Sequence, residues 1–284
     1  MLQIARLANN FDPKMQSSPV HLHVDGCNVG IVPRETLNLP RTDSVFVLDQ
    51  SESRLEFNPI LNAETRTVAL ENILLEWKRM GVVCLQGWRN ERFAVYGLQS
   101  NVLFEIERAG VGLFGLRSYG VHVNGITNNK MWVSRRSSTK TTYPCMLDQI
   151  SGGGLSQGTP VQCAVRECWE EASIPLSLTA HLEHVGEVRF WHCKSGQYVA
   201  TTEYVYDLEI PSSFVPTPND SEVCEFHLLT IDEVRGCLLN KEFTPSASAV
   251  VIDYLIRHGC VEASECEAEI RVDFGFPGPN FSEL

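Results

Sequence analysis

Glu167, Glu170 and Glu171 stand at i, i+3 and i+4 within Arg166-Glu167-Cys168-Trp169-Glu170-Glu171, and no other feature constrains this chain as tightly. If the segment is helical, three carboxylates project from one face. Pro160 suits a first helical turn, so a helix from Pro160 to Ser173 is expected, with Arg166 placed to orient Glu167. Like charges stacked this closely weaken an isolated helix by about a few tenths of a kcal/mol per pair. A cation between them removes that penalty. Carboxylate oxygens suit a hard one, magnesium first and manganese second. Gly152 and Gly153, ahead of the helix, permit close backbone approach to a ligand. The plain alternative is an acidic helix face bathed in solvent.

Composition narrows the choices further. At 284 residues, 43% hydrophobic and 20% charged, the chain has core enough for one large or two modest domains. A net charge of -12 argues against nucleic acid as a partner, because such a surface needs a basic patch to displace counterions. An anionic small molecule must then be met by local cations. The ten cysteines form no C-x-x-C pair, which points to reduced thiols rather than a zinc site or a disulfide framework. No apolar run approaches the ~20 residues that span a bilayer, so no membrane partner is expected. Residues 1–20 also lack the apolar stretch of a signal peptide. A cytoplasmic location is expected; organelle targeting is the weaker alternative, because Arg6 and Lys14 face only Asp12 in that stretch.

Periodicity places the elements. Leu22 to Gly26 and Val29 to Val32 read as a hairpin turning over Asp25 to Asn28, and Val45 to Leu48 as a strand. Glu64 to Met80 carries an apolar stripe of Val68, Leu70, Ile73, Leu74 and Trp77 and stops at Gly81, as an amphipathic helix does. Strands are expected at 93–96, 102–106, 120–126, 130–135, 185–191 and 201–209, and helices at 232–239 and 246–258. Residues 107–116 read as a hinge. Strands flanking helices in mixed connectivity give an α/β class, an α/β/α sandwich with a mixed sheet.

Gly152, followed fourteen positions later by Arg166-Glu167 and then by Glu170-Glu171, resembles the Nudix box of diphosphate hydrolases. The retained glutamates resemble that box's metal ligands and catalytic carboxylate. Two positions depart from it: Gly158 stands where the box has a glutamate, and Ser173 where it has a glycine. Further segments widen the likeness. Leu85-Gln86-Gly87-Trp88-Arg89-Asn90-Glu91, Ile106-Glu107-Arg108-Ala109, Tyr119-Gly120-Val121-His122-Val123-Asn124-Gly125 and Arg135-Arg136-Ser137-Ser138-Thr139-Lys140-Thr141-Thr142-Tyr143-Pro144 resemble the thiamin pyrophosphokinase-related Nudix family. That family carries an N-terminal domain ahead of its Nudix domain.

The resemblance implies a flexible N-terminus at 1–20, a smaller α+β domain at 21–112, a Nudix hydrolase domain at 113–260 and a tail at 261–284. It implies hydrolysis of thiamin diphosphate-like compounds, particularly oxidised forms, to the monophosphate, using magnesium. Glu167, Glu170 and Glu171 are the expected ligands and catalytic groups, with Arg166 beside them. Many Nudix enzymes add one carboxylate from a later loop; Glu222 resembles it best and Glu225 next. Arg135, Arg136 and Lys140 are expected to bind the diphosphate beside Gly152 and Gly153, since Arg offers a bidentate fork and Lys a point charge. His122 and Trp88 read as a core histidine and a buried indole. The partner is a small-molecule diphosphate, with a homodimer as a possible assembly. The alternatives are a prenyl diphosphate as substrate and a non-catalytic ligand-binding module.

Overall fold

The computed structural model describes residues 19–41, 44–49, 51, 53–194, 197–261 and 278–279. The expected terminal segments, 1–20 and 261–284, lie almost wholly outside them. Two compact units divide the described residues: 119–190 with 202–261, and 19–118 with 191–201 and 278–279. The division falls between Ser118 and Tyr119, whereas the sequence suggested 112 and 113.

In the N-terminal unit, β1 (Val20–Val24) and β2 (Cys27–Val32) form an antiparallel hairpin. Its turn is two residues, Asp25 and Gly26, both at positive φ, the conformation an Asp-Gly pair supports in a tight hairpin. After the short α1 (Arg34–Leu37), β3 (Phe46–Asp49) pairs antiparallel with β4 (Arg54–Phe57). Because β4 runs parallel to β1, the four-stranded sheet is mixed, in the order β2-β1-β4-β3.

The expected amphipathic helix is α2 (Ala63–Arg79), started by a reciprocal cap between Asn62 and Thr65. It buries Leu70, Ile73, Leu74 and Trp77, but Val68 is 52% exposed. At ~100° per residue Val68 points away from Leu70, while Arg66, one turn before Leu70, lies inside and clamps Asp25 at 2.5 and 2.9 Å. Trp77, Phe46, Phe57, Phe104 and Phe114 pack with neighbouring ring centroids 4.4–5.8 Å apart. Trp77 donates its indole N–H to the Pro40 carbonyl, so burial leaves no orphan donor. β5 (Arg92–Tyr96) and β6 (Val102–Glu107) form a further antiparallel hairpin in this unit. Residues 107–116 are no hinge. They hold a 3-10 helix, Arg108–Leu113, whose Val111 and Leu113 bury apolar surface in this core.

The second unit is built on a seven-stranded sheet, α/β in class as expected. β7 (Arg117–Thr127), β8 (Lys130–Arg136), β9 (Leu147–Gln149) and β10 (Ser151–Gly154) lead to α3 (Pro160–Ala172) and α4 (Leu176–Thr179). β11 (Glu183–Lys194), β12 (Gln197–Glu209) and β13 (Val223–Thr230) follow, then α5 (Ile231–Leu239) and α6 (Pro245–Arg257). The main strand order is β11-β12-β7-β8-β13, with β10 on β7 and β9 on β8. Met131, Val133, Ile126 and Leu147 from the strands meet Val234, Leu238, Val251 and Leu255 from α5 and α6 in one buried cluster. β13 was not anticipated. Its alternation is confined to Glu225-Phe226-His227-Leu228, too short to mark the strand, and its pairing with β8 is between segments some ninety residues apart.

Candidate active site

Helix α3 carries the acidic run and is well terminated. Thr159 caps it reciprocally with Gln162, and Pro160 opens it. At its end Ser173 adopts a left-handed φ of 54° while the Ile174 amide bonds back to the Cys168 carbonyl, the pattern usually made with glycine. Ser173 Oγ donates to the Thr217 carbonyl at 2.9 Å, anchoring the strained residue. Gly158, the other departure, has a φ of 75°, a conformation that disfavours a glutamate.

The three glutamates diverge. Glu171 is 6% exposed and its Oε2 accepts a 2.8 Å hydrogen bond from the Gly152 amide. Glu167, one turn earlier, is largely buried and accepts from Arg166 Nη2 at 2.6 Å. Glu170 lies outside this narrow arc, half exposed, with Arg166 Nε 3.5 Å away. Residues at i and i+4 differ by ~40° around a helix but i+3 falls on the other side of the arc, and the packed face here is the narrower one.

Antiparallel pairing of β10 with β7 sets Gly152 opposite His122 and Gly154 opposite Gly120. The glycines are needed for close approach. A Cβ on Gly153 would lie 2.3–2.6 Å from the Glu167 carboxyl group, and one on Gly120 would lie 2.2 Å from Glu203 Oε2 and 3.1 Å from the Gly153 carbonyl. Glu203, on β12, is only 6% exposed. Glu167 and Glu171 therefore stand at the Gly152-Gly153 backbone, and Glu203 approaches that backbone from β12, across Gly120. Sequence reading missed Glu203; its signal is a charge directly ahead of the apolar run Tyr204-Val205-Tyr206, within an expected strand.

Burial dominates the electrostatics. It holds the Glu171 carboxyl well above the usual carboxylate range; the Gly152 amide opposes the shift, and the charges of Glu167, Asp148 and Glu222 add to it. Glu167 is also raised, first by desolvation, with Arg166 opposing. Such a set of oxygen donors crowded on glycine backbone suits a hard divalent cation. Among the described residues, no three His, Cys, Asp or Glu side chains already stand as a ligand group. Glu167 is turned to Arg166, and Glu222 is ion-paired with Lys140.

The expected phosphate-binding arginines are engaged elsewhere. Arg136 donates from Nε to the Tyr143 carbonyl at 3.2 Å, from Nη1 to Asp148 at 3.0 Å and from Nη2 to the Thr142 carbonyl at 3.2 Å. Arg135 bonds Glu225 at 2.8 Å and the Cys145 carbonyl at 3.0 Å. Both brace the 137–146 loop, in which Tyr143 and Cys145 have positive φ. Lys140 sits in that loop. His122 is buried as expected, but with Nδ1 3.6 Å from Asp148 and Nε2 3.8 Å from Glu203. Trp88, in the N-terminal unit, is partly buried, with Nε1 on Asn90 at 2.9 Å and Lys78 over its ring.

Residues 117–253 match the NUDIX domain family, and residues 1–118 match a domain of unknown function, DUF4743. An uncharacterized protein of Saccharomyces cerevisiae, YJR142W, is 32% identical over 91% of this chain and 84% of its own length. Nudix hydrolase 24, chloroplastic, of Arabidopsis thaliana is 34% identical over 77% of this chain and 62% of that protein. Nudix hydrolase 20, chloroplastic, of the same plant is 34% identical over 70% of this chain and 54% of its own length. Among solved structures, DR0079 from Deinococcus radiodurans covers 59% of this chain and 98% of its own, at 20% identity and a TM-score of 0.44. No described helix is long and apolar enough to cross a membrane.

Proposed function

The chain belongs to the Nudix hydrolase family, and from that premise we propose that it hydrolyses an organic diphosphate to the monophosphate and phosphate in a metal-dependent reaction. The observation that supports this reading is the placement of Glu167 and Glu171 at the glycine backbone of Gly152 and Gly153, with Glu203 approaching it across Gly120. Those three carboxylates would hold a divalent cation, magnesium or manganese. When bound, it supplies charge neutralisation and Lewis acidity at phosphorus.

The chain's own groups do the rest. Gly152 fixes Glu171 through its amide, and Arg166 orients Glu167. Glu170 stands half exposed at the edge of the cluster. A buried carboxylate accepts the proton of the attacking water as the bridging P–O bond breaks. Lys140, exchanging Glu222 for the departing phosphate, balances the charge that develops there, and the released Glu222 adds a further carboxylate. Arg135 and Arg136 act on phosphate through the loop they brace.

Thiamin diphosphate and its oxidised analogues are the substrates nominated by the upstream segments, from Leu85 to Pro144. The test is metal-dependent turnover, with magnesium, manganese or EDTA, of thiamin diphosphate, its oxidised analogues and a prenyl diphosphate, followed by phosphate release, and of ADP-ribose, followed by its two phosphate monoester products. Preference for the oxidised thiamin compounds is expected. Preference for the prenyl compound or ADP-ribose would reassign the substrate, and no metal-dependent turnover on any would leave a ligand-binding module.

A further inference from the structure

His122 has no part in that reaction, yet it lies among the groups that perform it. Its side chain is 8% exposed, and its ring packs so closely on Gly152 that a Cβ there would lie 2.9 Å from Nδ1. Nδ1 has no hydrogen-bond partner, being 3.6 Å from Asp148 Oδ1, and Nε2 is 3.8 Å from Glu203 Oε1. Asp148 is itself fixed on its other oxygen by Arg136 at 3.0 Å. A purely packed position would be filled as well by leucine, without the cost of an unpartnered buried nitrogen.

We propose that His122 is a positioning residue: Nε2 donates to the Glu203 carboxylate and directs it into the cluster, while Nδ1 faces Asp148, which Arg136 holds from the other side. A shift of less than ~1 Å in ring or carboxylate brings Nε2 within hydrogen-bonding distance of Glu203 Oε1, and sites of this kind tighten when engaged. The inference rests on the hydrolytic reading, because it gives Glu203 a cation-directed role.

The test compares His122→Gln, His122→Asn and His122→Leu in the full chain. A Gln amide nitrogen reaches the place of Nε2 and an Asn one the place of Nδ1. Manganese binding is followed by calorimetry, and kcat and KM are measured on the best diphosphate. The Gln variant should retain most of the manganese affinity, whereas Asn and Leu should lose about 10- to 100-fold, in kcat more than in KM. Equal losses in Gln and Asn, or wild-type affinity in Leu, would overturn the proposal; if Leu fails to fold, the Gln and Asn pair decides. Manganese binding with the expected pattern but without turnover of any diphosphate would sink the hydrolytic reading alone. A wild-type chain that binds no manganese overturns both.

Discussion

The Gly152 amide donates a 2.8 Å hydrogen bond to Glu171 Oε2, joining the last turn of the acidic run to the strand that faces His122. One amide does not replace the water that a buried carboxylate loses, so the group stays protonated to higher pH than a free glutamate. The site is therefore strained electrostatically when no cation is present, and its behaviour without metal becomes informative.

Glu171→Gln tests this in EDTA. A carboxyl whose pKa is raised by folding contributes fully to stability below its unfolded pKa of about 4.5, and loses that contribution as pH rises through the folded value. Gln cannot titrate. The melting temperature of the wild type should therefore fall increasingly below that of Glu171→Gln as pH is raised from about 5 to 8. Parallel curves would mean that Glu171 is not held neutral. With magnesium added, Glu171→Gln should lose turnover by about 100-fold or more.

Gly153→Ala separates function from folding. The new Cβ would collide with the Glu167 carboxyl group, the far end of a flexible side chain that can swing away. Thermal stability should change little, while kcat drops by about 100-fold, as a displacement near 1 Å can do. A variant with normal kcat would show that the observed placement of Glu167 is unimportant.

Lys140→Ala should weaken a diphosphate more than its monophosphate, because the second phosphate loses a cation. A charge-assisted contact of about 1.5–3 kcal/mol corresponds to roughly 10- to 100-fold in affinity. High salt should shrink the difference. Equal losses for both ligands, measured by calorimetry, would exclude a contact with the second phosphate.

Arg136→Lys should act through the loop. A point charge cannot hold the Thr142 and Tyr143 carbonyls and Asp148 together, as the guanidinium does. Protease cleavage near Lys140 should accelerate and KM should rise more than kcat falls. Unchanged cleavage with a large fall in kcat alone would instead place Arg136 on the reacting phosphate.

Much of the chain was decided locally. Thr159 and Pro160 start α3 from within one turn, Asp25-Gly26 sets a hairpin, and the stripe from Leu70 to Trp77 makes α2 amphipathic. Caps, turns and helical faces depend on neighbours a few residues away, and so the acidic run, its helix and the Nudix likeness are legible in sequence. Glu203, Asp148 and His122 are not, because they come together only when β12, β9 and β7 bring their segments side by side. The same holds for Arg135 and Arg136: their residue type announces phosphate binding, and only the fold shows that Glu225, Asp148 and the loop carbonyls accept hydrogen bonds from them. Sequence determined which charges the site contains. The fold determined which of them are buried together, because desolvation and hydrogen-bond occupancy depend on contacts between strands far apart in the chain.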